Sequence, residues 1–262
     1  MNLSISNIGW TADQDNQIYE IMKKYGFSGL EIAPTRIFPE APYDKPEEAK
    51  SWADSLKKRY GFSVPSMQSI WYGRQEKIFG TEREFQALIS YTKKAIDFAV
   101  AIGCENLVFG CPKNRNMPEG ADPKTGIRFF REIGDYAAAK GTVVGMEANP
   151  PIYNTNYVNT TSEAFALIEE VSSVGFKLNL DVGTMIQNEE SVEELIGRIH
   201  LINHIHISEP GLKPIEQRTL HAVLRDILKD GGYKGFISVE MGRTDDVKML
   251  EDKISYICNE YK

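Results

Sequence analysis

Eight short apolar runs alternate with eight longer amphipathic ones along this chain, and that alternation restricts its fold more than any other feature. The short runs are Leu3 to Ile8, Leu30 to Ala33, Ser63 to Gln68, Asn106 to Phe109, Val143 to Glu147, Phe176 to Asp181, the stretch around Ile205 and His206, and Phe236 to Glu240. Each has strand length. The longer runs carry apolar residues at helical spacing: Ile18, Ile21 and Met22 in one, and Phe85, Leu88, Ile89, Ala95, Ile96 and Ala99 in another. Helices are predicted over about Asp13 to Tyr25, up to Tyr60, and over Thr81 to Ile102 and Lys124 to Lys140. Four more are predicted after Thr160, over Val192 to Ile199, over Thr219 to Lys229 and over Asp245 to Tyr261. Thr160 and Glu163 have capping-box spacing. One junction recurs: Lys24-Tyr25-Gly26-Phe27 is matched by Arg59-Tyr60-Gly61-Phe62 and, loosely, by Gly232-Tyr233-Lys234-Gly235-Phe236. A repeated helix–glycine–strand junction fits a repeated βα unit.

The fold class is therefore α/β, and eight units over 262 residues predict a single (β/α)8 TIM barrel spanning residues 1–262. A doubly wound open sheet is the alternative. It would be favoured by a glycine-rich dinucleotide loop after the first strand, and the chain has none there. The formal charge of -7 argues against a nucleic-acid partner, because phosphate binding needs a basic face. No apolar stretch approaches the 18 residues of a membrane span, and Met1-Asn2-Leu3-Ser4 does not open a signal peptide. Cys104, Cys111 and Cys258 are odd in number and form no C-x-x-C pair, so a reducing, cytoplasmic setting is expected.

In a parallel barrel all strand C-termini open on one face, where chemistry is placed. The polar residues at these ends are Glu31, Gln68, Glu147, Asp181, His206 and Glu240. One carboxylate at a strand end most often caps a helix or forms a salt bridge. Strands five to eight each supply a ligand-type residue, and four in succession predict a shared metal site of Glu147, Asp181, His206 and Glu240. Three carboxylates with one imidazole suit one divalent ion such as Mn, Mg, Co or Zn. Glu147 and Glu240 would flank a substrate, one taking a proton beside a carbonyl and the other returning one.

At these residues the chain resembles the xylose-isomerase-like TIM barrel superfamily, the group that holds sugar (phosphate) isomerases, epimerases and family 2 AP endonucleases. The matching pieces are Gly29-Leu30-Glu31-Ile32, Met146-Glu147-Ala148-Asn149-Pro150, Leu180-Asp181-Val182-Gly183, His204-Ile205-His206-Ile207-Ser208-Glu209 and Ser238-Val239-Glu240-Met241. The resemblance implies that Glu147, Asp181, His206 and Glu240 bind one divalent ion, often Mn²⁺, and that Glu147 and Glu240 are the acid/base pair. It also implies a small carbohydrate substrate and allows a homo-oligomer. Ketose 3-epimerases of the group carry His, Glu and Arg where this chain has Thr184, Tyr153 and Leu212. These departures argue against a free ketohexose.

The substrate-side candidates are Glu31, Gln68, Trp71, Lys113, Arg115, Glu209 and His221. Lys113 and Arg115, after strand four, could clamp a phosphate or carboxylate. Trp10 and Trp71 are placed to wall the pocket. The expected function is a metal-dependent isomerase or epimerase of a small sugar, sugar phosphate or sugar acid. A metal-dependent dehydratase of inosose dehydratase type begins with the same proton abstraction, and a non-catalytic sugar-binding barrel would have no need of both carboxylates. A nuclease resembling endonuclease IV needs several more histidines than the four here, the first of which is His200.

Overall fold

The computed structural model describes all 262 residues. Eight parallel strands run in the order β2-β1-β8-β7-β6-β5-β4-β3: β1 (Asn2–Ser6), β2 (Gly29–Glu31), β3 (Ser66–Met67), β4 (Asn106–Phe109), β5 (Val143–Met146), β6 (Phe176–Asp181), β7 (Ile202–Ile207) and β8 (Phe236–Val239). The bonds Leu30 N–Ser63 O (2.9 Å), Ile32 N–Ser66 O (3.2 Å) and Gln68 N–Ile32 O (2.8 Å) join β2 to β3. The ring is thus a single (β/α)8 TIM barrel. Its helices are α1 (Asp15–Lys24), α2 (Pro34–Ile37), α3 (Pro46–Tyr60), α4 (Glu82–Ala101), α5 (Lys124–Lys140), α6 (Thr161–Val171), α7 (Val182–Gln187), α8 (Thr219–Asp230) and α9 (Val247–Tyr261). None is long and apolar enough to cross a membrane.

Local chemistry sets the helix boundaries. Thr81 with Glu84 and Thr160 with Glu163 form reciprocal capping boxes that start α4 and α6. Gly61 and Gly141 end α3 and α5 in left-handed backbone, at φ 80° and 79°, which a side chain would strain. The helix expected over Val192 to Ile199 is instead two 3-10 turns, Val192–Leu195 and Ile199–Leu201, split by Gly197 at φ 81°. Strand three pairs with β4 only at Ser66 and Met67, shorter than the expected Ser63 to Gln68.

The two faces of the ring differ in chemistry. Residues facing the helices are apolar and buried: Leu3, Ile5, Leu30, Met67, Leu107, Phe109, Val144, Met146, Leu178, Leu180, Ile205, Ile207, Ile237 and Val239. The alternating positions face the barrel axis and are mostly polar. Register pairs Ser4 with Ser238, Ser6 with Glu31, Ser66 with Asn106, Asn179 with His204, and His206 with Ser238. Side chains then meet across the ring, as in Gln68 Nε2–Ser6 Oγ (2.8 Å) and Asn106 Nδ2–Asn179 Oδ1 (3.3 Å). Barrel interiors are usually filled by branched aliphatic residues. Here the aliphatic core lies between sheet and helices, and the axis carries the polar groups.

Candidate metal centre

At the C-terminal mouth, adjacent strands bring four side chains together. Glu147 follows β5, Asp181 ends β6, His206 lies near the end of β7, and Glu240 follows β8. One ligand atom from each lies within 4.8 Å of the others. His206 is the hub. Its Nδ1 is 3.1 Å from Glu147 Oε1 and 3.2 Å from Glu240 Oε2, and its Nε2 is 2.9 Å from Glu31 Oε2.

Each carboxylate is held by neighbours. Asp181 caps α7, with its Oδ2 accepting from Thr184 N (2.8 Å) and lying 2.7 Å from the Thr184 hydroxyl, while Ser208 donates to Oδ1. Glu147 accepts from Asn179 through Oε1 and from Asn149 through Oε2, both at 3.1 Å. Asn149 in turn accepts from the guanidinium of Arg115 at 3.0 Å. A Cβ on Gly110 would sit 2.8 Å from Glu147 Oε2, so a side chain there would push that carboxylate from its place.

The electrostatics are those of crowded negative charge. Burial, then Glu147 and Glu240, push the Asp181 carboxyl up to about 7. Burial also raises Glu240, with His206 opposing the shift. Burial alone would depress His206, but Glu31 and Glu240 overturn it and hold the imidazole well above its ordinary value. Asp181 has no Lys or Arg partner. Three carboxylates and one imidazole nitrogen converging without a lysine or arginine fit a divalent cation. The geometry agrees: ligands opposite one another on one ion stand about 4.4 Å apart at bond lengths near 2.2 Å, and these four atoms all lie within 4.8 Å of one another.

A cleft of about 200 Å³ opens over this cluster. Glu147, Asp181 and Glu240 line it together with Gln68, Glu209, Asn149, Ser208, Val108, Cys111, Tyr153 and Leu212. Of the substrate-side candidates, only Gln68 and Glu209 reach the cleft. Glu209 is already engaged, with Arg218 donating to both its oxygens at 2.7 and 2.6 Å. Glu31 is fully buried below the cluster.

The remaining expectations are corrected by packing. Arg115 is no surface clamp: it is fully buried and donates to Glu147 O (2.8 Å), Asn149 Oδ1 and Val158 O (3.1 Å). Lys113 is exposed and does not line the cleft. Trp71 is buried and donates to Thr92 Oγ1 at 2.9 Å, and Trp10 is buried and donates to Asp15 at 2.7 Å. His221 is buried in the first turn of α8, with its Nδ1 2.8 Å from Tyr256 Oη. The sequence reading missed Asn179 and Asn149, the amides that orient Glu147. The signal for Asn179 was available: an asparagine between Leu178 and Leu180, two residues before Asp181 and hence on the same face of the strand.

Fold and cluster together define a (β/α)8 protein that gathers oxygen and nitrogen donors at its C-terminal mouth. More narrowly, the profile of the family described as xylose isomerase-like TIM barrel matches residues 19–259, and the chain belongs to that family. Among solved structures, 3-keto-D-glucoside 4-epimerase from E. coli superposes with a TM-score of 0.78 at 18% identity, covering 99% of both chains. D-psicose 3-epimerase from Clostridium cellulolyticum H10, solved with D-tagatose, gives 0.76 at 19% identity, covering 100% of this chain and 98% of that one. An AP endonuclease, family 2, from Brucella melitensis gives 0.73 at 20% identity over 99% of both. At these identities the likeness shows a shared fold. No curated protein sequence matches the chain.

Proposed function

We propose that the protein is a divalent-metal-dependent isomerase or epimerase of a small, uncharged polyhydroxy carbonyl compound, acting by proton transfer beside the carbonyl. The observation that carries this reading is the pair Glu147 and Glu240, both lining the cleft and both within 3.2 Å of His206 Nδ1. Glu147, Asp181, His206 and Glu240 would hold the ion, which when bound would polarise the substrate carbonyl. One glutamate takes the proton from the adjacent carbon; the other returns a proton to the neighbouring carbon or the opposite face. Asn149 and Asn179 keep the Glu147 carboxylate aimed into the cleft. That two superposing structures are sugar epimerases supports this choice of chemistry.

The cleft's charge narrows the substrate. Glu147, Asp181, Glu209 and Glu240 line it, and no Lys, Arg or His does. Sugar phosphates and sugar acids would enter against this field with no cationic side chain to receive them, whereas a neutral sugar would not. Tyr153 and Leu212, in place of the Glu and Arg of ketose 3-epimerases, give the mouth an aromatic and an aliphatic wall. The same acidic lining disfavours a nucleic-acid backbone.

Deuterium incorporation from D₂O, in the presence of Mn²⁺, tests the reading across neutral sugars, ketoglycosides, sugar phosphates and sugar acids. Exchange beside the carbonyl of a neutral substrate is expected, and Glu147→Gln should abolish it. Loss of water from the product would reassign the reaction to dehydration. Full activity in Glu147→Gln, or exchange with none of these compounds, would end the proposal.

A further inference from the structure

We infer that Glu31 is a positioning residue: from beneath the site it fixes His206 in the tautomer that presents Nδ1 to the metal ion. This rests on the metal site proposed above. Glu31 ends β2, reaches across the barrel axis to β7, is fully buried and does not line the cleft, so substrate does not touch it. Its Oε2 lies 2.9 Å from His206 Nε2, the ring nitrogen turned away from Glu147 and Glu240. A neutral imidazole has one N–H. With Nε2–H donated to Glu31, the lone pair of Nδ1 is left facing the carboxylates. Ligand histidines are commonly fixed in this way by a carboxylate on the far nitrogen, and losing that partner costs about 10–100-fold in metal affinity.

Glu31 is itself held. Gln68 Nε2 donates to its Oε1 at 2.9 Å, and lies 2.8 Å from Ser6 Oγ. His204 brings its Nε2 to 3.0 Å from Glu31 Oε2, but off hydrogen-bonding alignment, so this nitrogen has no partner. Glu31, His204 and His206 thus also form a buried group with ligand-type atoms close together. A second ion there would need His206 Nε2 as a ligand. One nitrogen cannot both donate to Glu31 and bind that ion, so the two arrangements are exclusive and the number of ions bound separates them.

Mn²⁺ titration of the chelator-stripped full chain by calorimetry is the first measurement. The wild type is expected to bind one ion, and Glu31→Gln to bind it about 10–100-fold more weakly while keeping its circular dichroism spectrum. The second uses only the wild type, labelled with ¹⁵N-histidine and loaded with Zn²⁺. His206 should show a metal-shifted Nδ1 and a slowly exchanging Nε2–H, a signature that a packing role for Glu31 would not create. Equal Mn²⁺ affinity in Glu31→Gln, ligation through Nε2, or two ions per chain would each overturn the assignment. If the wild type binds no ion, the functional reading falls and this inference with it. If the wild type binds and Glu31→Gln binds equally, only the inference falls. Should Glu31→Gln fail to fold, the ¹⁵N spectrum decides.

Discussion

In metal-free protein, Asp181→Asn should stabilise the fold at neutral and alkaline pH although it removes a site residue. Asp181 sits at the mouth with Glu147 and Glu240 beside it, and burial and those charges push its carboxyl from 3.8 to about 7. Between those values the folded state retains a proton that the unfolded chain has lost. Stability therefore falls as pH rises from about 4 to 7, and the loss is complete above that window. At ~1.4 kcal/mol per pH step the full effect is about 4 kcal/mol, and the partial solvent access of Asp181 reduces it to about 2–4. Asparagine keeps the acceptor that caps α7 through Thr184 N, so the substitution removes charge more than structure. Urea denaturation with chelator present measures the difference. The two proteins should converge below pH 4 and separate steadily, with Asp181→Asn the more stable by about 2–4 kcal/mol at pH 8. Mn²⁺ at about a thousand times its dissociation constant should close or reverse the gap, because it stabilises only the intact site, by about 4.1 kcal/mol. A variant no more stable than wild type at pH 8 without metal would refute the charge-crowding argument.

Three further outcomes follow from the packing. Burial lowers His221 from 6.5 to about 4, so its contribution is fully present above 6.5 and is lost as pH falls toward 4, by about 3 kcal/mol; urea midpoints at pH 7 and 4.5 should differ less in His221→Gln than in wild type. Arg115→Met strands the Glu147 carbonyl and the Asn149 side-chain oxygen and takes one of two donors from the Val158 carbonyl, and should cost about 3–5 kcal/mol by urea denaturation; a loss near zero would mean that the guanidinium is not a strut. Gly175→Ala would set a Cβ 2.1 Å from Gly134 O and 2.5 Å from Ala138 N in α5. Calorimetry should show a cost of about 1–3 kcal/mol, or roughly 2–4 °C in Tm for each kcal/mol.

The barrel and the cluster at its mouth could be read from local pattern because strand alternation and strand ends are local features. Once eight strands are placed in a ring, Glu147, Asp181, His206 and Glu240 must share a face, whatever their separation in sequence. Burial of loop residues is not local. Arg115 and Lys113 are two positions apart in one loop, yet one is fully buried against the β5 loop and the other is in solvent. Nothing in the order of these residues distinguishes a phosphate clamp from a strut. Trp71 and His221 failed for the same reason: their partners, Thr92 and Tyr256, lie 21 and 35 residues away. The amides at Asn106 and Asn179 read as interruptions of apolar strands, and become a network only when the ring closes and they meet at 3.3 Å. Glu31 was legible as a strand-end carboxylate, but its depth was not. Its place below His206 emerges only when β2 and β7 stand across the ring from each other.

Because the aliphatic groups lie outside the ring of strands and the polar ones inside, this molecule separates the task of folding from the task of recognition. Exchanging an inward residue leaves the sheet-to-helix packing untouched, so a lineage could alter what it binds through changes along the axis and at the mouth while the surrounding framework stays the same. That freedom would account for relatives at below one-fifth identity that still superpose along nearly their whole length.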